Sequence, residues 1–257
     1  MAVSQGTVIV TGATRGIGRA TVEAILERGG KVVAIARSDE GLRALRASAG
    51  DRVRTVVADL SDTGAVPDVA RRAIDAFGMV DGLVNCAGIS RYEPLGAIGL
   101  DSIEAQIGVN LVAPLLLSQA VAEHLRGRGG AIVNVSSTLS EHVAQNTMVY
   151  AATKAALNTL TKGLALELAP AGVRVNAVLP GGVATDMLRA PRLRPGETLS
   201  AAALEERVEA QLAALAALHP LGRLGEPREV ATVIIGLLDQ AWQTGSLVTI
   251  DGGLSIA

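Results

Sequence analysis

An α/β fold, with a doubly wound and mostly parallel sheet flanked by helices, is what the order of patterns along this chain predicts. Short apolar runs rich in β-branched residues recur at 7–11, 31–36, 53–58, 82–85, 131–137, 173–179 and 247–250, giving seven strands. Helical patterns follow most of them, at 19–28, 65–77, 101–126, 150–169 and 226–240, and such alternation reads as parallel crossovers. The first strand also closes on a glycine-rich turn that opens the first helix, a junction typical of open α/β sheets.

The 257 residues contain no repeat, low-complexity tract or linker, so a single domain over residues 1–257 is expected. Hydrophobic residues make up 49% and charged residues 19%, enough apolar material for a substantial core. Aromatics are only 2%, so that core must come from Ala, Val, Leu and Ile, and the only tyrosines are Tyr92 and Tyr150. The 23 Lys plus Arg nearly balance 25 Asp plus Glu, so no global field recommends nucleic acid or a membrane as partner. One cysteine, Cys86, excludes an intrachain disulfide, and three scattered histidines show no metal-ligand spacing, so no metal is expected. No basic stretch followed by a long apolar one marks a secretory signal, and no uninterrupted apolar run looks long enough to span a bilayer. A cytoplasmic enzyme is the expectation.

Two short motifs carry chemistry. In Gly12-Ala13-Thr14-Arg15-Gly16-Ile17-Gly18, the glycines let the backbone turn tightly and approach a pyrophosphate, while the helix start offers unpaired N–H groups. Taken alone, such a cluster is an ordinary turn; between strand and helix it predicts dinucleotide binding. In Tyr150-Ala151-Ala152-Thr153-Lys154, phenol and ammonium lie four apart on one helical face. A nearby cation favours the phenolate, so the pair predicts an acid–base tyrosine whose pKa is moved toward working pH by Lys154.

The spacing T-G-x-x-x-G-x-G, together with Ser137, Tyr150 and Lys154, resembles the short-chain dehydrogenase/reductase family, and within it the 3-oxoacyl-carrier-protein-reductase-like members. The resemblance runs over nearly the whole chain and implies a Rossmann-type domain. It implies that Asp59, beside Leu60, meets the adenine, and that Asn85, Ala87 and Gly88 form a turn by the adenosine ribose, with Cys86 in place of a second asparagine. It implies that Asn110 holds a water between lysine and solvent. Ser137 is the expected partner of Tyr150, and strand alternation should point Ser136 to the other face. Pro180, Gly181, Val183 and Thr185 correspond to the family's loop around the nicotinamide.

Arg37, after the second strand, and Arg15 look like contacts for a 2′-phosphate, which favours NADP(H); NAD(H) stays open, with Asp39 as the alternative ribose acid. Residues 188–219 read as a helical lid: a turn with Pro191 and Pro195, then a helix from Ser200 with Leu204, Val208, Leu212 and Leu215 in one stripe and Glu205, Glu206 and Glu209 outward. Arg91, Glu141, His142 and Asn146 are candidate pocket residues. Because Tyr150–Ala169 is apolar on more than one face, and relatives pair this helix with its copy, a homotetramer or homodimer is implied; burial within one subunit is the alternative. The expected function is NADP(H)-dependent hydride transfer between the nicotinamide and a small-molecule ketone or secondary alcohol, in the direction of carbonyl reduction. The alternatives are an NAD(H)-dependent polyol or hydroxysteroid type dehydrogenase, or a non-catalytic cofactor-sensing regulator.

Overall fold

The computed structural model describes residues 2–193 and 196–257, so the expected turn residue Pro195 lies outside the described residues. Seven strands form one sheet: β1 (Thr7–Thr11), β2 (Lys31–Ala36), β3 (Val53–Val57), β4 (Gly82–Asn85), β5 (Ala131–Val135), β6 (Arg174–Pro180) and β7 (Leu247–Ile250). Their order is β3-β2-β1-β4-β5-β6-β7, and every neighbouring pair is parallel, where the sequence predicted a mostly parallel sheet. The chain therefore starts mid-sheet, winds outward one way, then returns between β1 and β4 to wind the other. That reversal leaves a crevice at the carboxyl ends of β1 and β4.

Strand alternation sorts the core into two halves. Val8, Val10, Val32, Ala34 and Val133 face α1 (Gly16–Glu27), α2 (Asp39–Ala49) and α9 (Pro227–Asp239). Ile9, Val33, Ile35, Leu83 and Ile132 face α3 (Val66–Asp75), α5 (Ala113–Leu125) and α6 (Met148–Leu168). Because both faces are covered, β1 and β5 are buried at every residue, which is why they read as continuous apolar runs. The outer edge of α9 is finished by Arg174, whose guanidinium donates to the carbonyls of Leu237, Leu238 and Gln240.

The patterned segment 101–126 is a compound helix. α4 (Leu100–Ile107) passes through a π turn, Gly108–Val112, into α5. Contrary to the sequence reading, the run Leu100–Leu125 is long and apolar enough to cross a membrane by length and composition, yet 56% of its most apolar window is buried inside the protein. α2 was not foreseen: among its residues only Leu42 and Leu45 are buried, and the rest is charged or small. α7 (Asp186–Arg189) and α8 (Ala201–Ala217) make up the excursion before α9. Ser200 caps α8 by accepting from the Ala203 amide at 3.3 Å. The expected stripe Leu204, Val208, Leu212 and Leu215 is half-buried, while Glu205, Glu206 and Glu209 are exposed. No α8 residue is fully buried, so this helix rests on the body rather than within it.

Candidate active site

The glycine turn sits at the sheet's point of reversal. Gly12 (φ 65) and Gly16 (φ 53) occupy the left-handed region. A Cβ on Gly12 would lie 3.0 Å from the Ala87 Cα, so the turns after β1 and β4 abut. A Cβ on Gly18 would lie 2.2 Å from the Gly12 carbonyl oxygen, which is how closely α1 starts behind β1. Thr11 ties the two turns together, its hydroxyl accepting from the amides of Cys86 (3.0 Å) and Ala87 (2.9 Å). α1 begins after Arg15 without any side-chain cap, so the amides of Gly16, Ile17 and Gly18 have no intrahelical partner and point out of the helix end. These features fit a dinucleotide: a cradle kept open by missing side chains, with free donors at a positive helix terminus.

Thr14 leans on the start of α2, its Cβ 3.0 Å from where a Gly41 Cβ would stand. Arg15 and Arg37 are both well exposed, and their nearest acids are distant for ion pairs, Asp186 at 3.8 Å and Asp59 at 3.9 Å. Asp59 accepts from the amide (3.0 Å) and hydroxyl (2.9 Å) of Ser61; the amide bond chiefly holds its carboxyl below the usual range. Ser38 spends its hydroxyl capping α2, and Asp39 is paired at the surface with Arg43 one turn on. Leu60 is packed in the core.

The side chain of Asn85 is engaged inside the fold. Its side-chain amide donates to Asn134 at 2.8 Å and Ser118 at 3.3 Å, and Asn134 donates on to Thr161 at 2.9 Å. This buried ladder ties β4 and β5 to α5 and α6, so the Asn85 side chain faces away from the crevice and only its main chain borders it. Its Oδ1 is buried without a partner among the described residues.

At the far end of the crevice, α6 brings Tyr150 and Lys154 together, with the Lys154 Nζ 5.7 Å from the centre of the Tyr150 ring. Lys154 is 3% exposed and donates to the Val135 carbonyl at 2.7 Å. Burial pulls its pKa down to about 8. Tyr150 is 8% exposed, and burial pushes its phenol up to about 12, a rise the adjacent Ser137 hydroxyl partly opposes. The expectation that Lys154 brings the phenol near neutrality is therefore not met: removal from water is the largest influence and raises it, with Ser137 rather than Lys154 pulling the other way. Tyr150 at neutral pH is a protonated phenol, a donor.

Both serines at the end of β5 meet α6, which corrects the expectation for Ser136. Its hydroxyl is spent on the Lys154 carbonyl at 3.2 Å, whereas Ser137 reaches the phenol. Ser137 is braced in turn: Ser140 donates to its carbonyl at 2.5 Å, and Asn158 donates to Ser140 at 2.8 Å. Asn110 stands nearby, anchored on three sides. Its side chain accepts from the Ile89 amide (2.9 Å) and donates to the Ile89 carbonyl (2.9 Å) and Thr153 hydroxyl (3.0 Å). These bonds fix the side chain at the π turn, where the helical ladder departs from its regular spacing. Gly88 sits between Asn110 and Lys154, its Cβ position 3.4 Å from Asn110 Oδ1 and 3.6 Å from Lys154 Nζ. Cys86 is in electrostatic reach of Lys154, but burial pushes its thiol up to about 12, so it stays unreactive.

The loop after β6 completes the crevice. Thr138 donates to the Pro180 carbonyl at 3.3 Å, and Gly181 donates to Ile250 at 3.0 Å. Gly225 donates to the Gly182 carbonyl and accepts from the Ala184 amide, both at 2.9 Å, forming a parallel bridge with Val183. In such a bridge the central residue turns its own N–H and C=O the other way. The Val183 amide has no partner among the described residues, while its carbonyl accepts from the Thr185 hydroxyl at 3.3 Å. One donor beside one acceptor is the complement of a carboxamide. Thr185 also touches the glycine turn, its Cγ2 3.1 Å from the Gly16 Cβ position. His219, which the sequence did not single out, is 3% exposed beneath this loop, and its Nε2 accepts from the Gly182 amide at 3.0 Å.

Among the expected pocket residues, Arg91, Glu141, His142 and Asn146 lie on loops at the crevice mouth: Arg91, Glu141 and His142 are exposed, and the Asn146 carbonyl accepts from the Glu93 amide at 2.8 Å. The segment before α8 reaches this rim through Arg192, whose guanidinium lies 5.2 Å from the centre of the Tyr92 ring.

Fold and site together narrow the chain to an oxidoreductase that works between alcohols and carbonyls with a nicotinamide dinucleotide. Comparison with known proteins makes the family specific: residues 6–195 match the short chain dehydrogenase family, and the chain belongs to it. The short-chain reductase protein NovJ of Streptomyces niveus is 37% identical over 260 residues, covering 98% of this chain and 95% of that protein. L-xylulose reductase of Bos taurus is 40% identical over 250 residues, covering 95% and 94%. The ligand-free structure of Thermoplasma acidophilum aldohexose dehydrogenase is similar with a TM-score of 0.86 at 30% identity, over 100% of this chain and 97% of that one.

Proposed function

We propose that the protein is an NADP(H)-dependent ketone reductase, a single domain in which Ser137, Tyr150 and Lys154 act on the substrate oxygen and Asn110 helps return the proton from solvent. The observation that carries this reading is the buried phenol: with its pKa pushed up to about 12, Tyr150 holds its proton across the neutral range and is set to give one to a forming alkoxide. A bound nicotinamide supplies the hydride. Tyr150 donates to the carbonyl oxygen, and Ser137 donates a second hydrogen bond to the same atom, a preorganised pair that stabilises developing negative charge. Lys154, charged below about pH 8, adds positive potential at that oxygen and replenishes the tyrosine proton. The π turn at Asn110 holds the water from which Lys154 is recharged.

The glycine turn with Thr14, Arg15, Gly16, Ile17 and Gly18 would hold the pyrophosphate, Asp59, Leu60, Ala87 and Gly88 the adenosine, and Pro180, Gly181, Val183 and Thr185 the carboxamide end. Arg15 and Arg37, exposed and only loosely paired, support a 2′-phosphate and hence NADP(H). L-xylulose reductase and aldohexose dehydrogenase are both named for sugars. With polar rim residues Glu141, His142 and Asn146, this favours a polyhydroxylated ketone as substrate here.

α8, with no fully buried residue, acts as the lid, and the remaining apolar face of α6, including Leu166 at 79% exposure, supports assembly with further copies. Most of α6's apolar positions are nonetheless buried within one subunit, among them Ala151, Leu157, Ala165 and Leu168. Tyr150→Phe tests the mechanism. Reduction of a ketose panel, followed by nicotinamide absorbance, should fall by a factor of about 100 or more while NADPH still binds; near-normal turnover in this variant would refute the assignment.

A further inference from the structure

Three amides of the loop after β6, those of Gly181, Gly182 and Ala184, are occupied, by Ile250, His219 and Gly225, and Val183 between them is left with a free donor. Two of those three partners are backbone carbonyls. The third is a side chain, and it belongs to the end of the lid. The His219 Nδ1 lies 2.8 Å from the Leu215 carbonyl in the last turn of α8, and its Nε2 takes the Gly182 amide. An amide can only donate, so Nε2 carries no proton, and Nδ1 carries the one given to Leu215. The ring is closely boxed: a Cβ on Gly182 would lie 2.8 Å from its Cε1, and one on Gly181 3.1 Å from its Nε2. Asp251 lies alongside within electrostatic reach of the ring, its carboxylate also accepting from the amides of Gly253 (3.0 Å) and Ser255 (2.7 Å).

Resting on the reading of residues 180–185 as the carboxamide side of the cofactor site, we infer that His219 is a positioning residue. Its neutral ring fixes Gly182 so that Val183 faces the nicotinamide, and it ties that loop to the carboxyl end of the lid helix. The two hydrogen bonds are separable by substitution. His219→Gln keeps an acceptor at the distance of Nε2, while His219→Asn keeps only the shorter reach toward Leu215.

Titration of each variant with NADPH, NADH and adenosine 2′,5′-bisphosphate, which lacks the nicotinamide half, gives the test. His219→Asn should weaken the whole dinucleotide about tenfold, as loss of one buried hydrogen bond does, and leave the bisphosphate unchanged. His219→Gln should bind both within about twofold of wild type. Equal weakening of dinucleotide and bisphosphate, no weakening, or indistinguishable Asn and Gln variants would each overturn the inference. In the unaltered protein, amide exchange should show Gly182 protected and Val183 fast; equal rates would overturn it without any substitution. Val183→Pro separates the underlying reading: if it leaves NADPH affinity intact, the loop is not the carboxamide site, whatever His219 does.

Discussion

Gly18→Ala puts the cofactor cradle to a quantitative test. The added methyl would stand 2.2 Å from the Gly12 carbonyl oxygen, 2.8 Å from its carbon and 3.3 Å from the Ala13 amide. Ordinary carbon–oxygen contacts are more than an ångström longer than the first of these. All three atoms are backbone, so no side chain can swing aside. Either α1 withdraws from β1 or the glycine turn opens, and both move the free amides of Gly16, Ile17 and Gly18. Overpacking of this kind costs about 1–3 kcal/mol, which at about 1.4 kcal/mol per factor of ten weakens binding by roughly 5–150-fold if the strain is relieved only in the free protein.

NADPH titration by protein fluorescence, with thermal unfolding alongside, reads the two costs separately. Gly163→Ala is the control, because its methyl would meet nothing within 4 Å on α6 and should stabilise by up to about 1 kcal/mol. Full NADPH affinity and an unchanged melting temperature in Gly18→Ala would refute the close approach of turn and helix.

Arg37→Asp should weaken NADPH by roughly 10–100-fold relative to NADH, the worth of a charged hydrogen bond, as measured by the ratio of their dissociation constants; an unchanged ratio removes Arg37 from phosphate recognition. Ketone reduction should decline above about pH 8 as Lys154 loses its proton, and a kcat/KM profile flat to pH 10 would contradict its buried charge. The same groups shape stability. Between about 8 and the ordinary 10.5 the unfolded chain binds the lysine proton more tightly, so Lys154 makes stability rise with pH there; Tyr150, raised from 10.0 to about 12, makes it fall across that higher window. Lys154→Met should abolish the first slope in denaturant titrations run at stepped pH. Asn134→Leu takes from Asn85 its shorter acceptor, leaving only Ser118 at 3.3 Å, and breaks the bond to Thr161, and should cost about 2 kcal/mol in chemical unfolding; a loss under about 0.5 kcal/mol would mean the ladder carries little.

The strands were legible because a sheet covered on both faces leaves uninterrupted apolar runs, and β2, β4 and β7 begin and end where those runs do. α2 was not, since two buried leucines in an otherwise charged segment make a weak periodic signal. Tyr150 and Lys154 were legible because their relation is local, four residues along one helix. The state of the phenol was not, because burial is set by everything packed around α6. His219 stayed hidden for a similar reason: one partner is 4 residues away, but the one that matters is 37 residues upstream. The partners of the Asn85 side chain were not legible, because a polar residue at a strand's end points to a ligand as readily as to a neighbouring strand. Only the fold shows that Asn134 stands opposite it.

The irregular segment Gly108–Val112 gives the long apolar helix one place where its length can change. A wide turn holds one residue more than a regular one, so deleting a single residue there leaves a regular turn and keeps α4 and α5 in about the same phase, whereas a deletion in either flank would rotate everything beyond it by about 100°. The cost of the first falls on Asn110 and its hold on Ile89 and Thr153. A scan of single-residue deletions ought therefore to show, between two intolerant helical flanks, five consecutive positions where the fold survives and the site suffers.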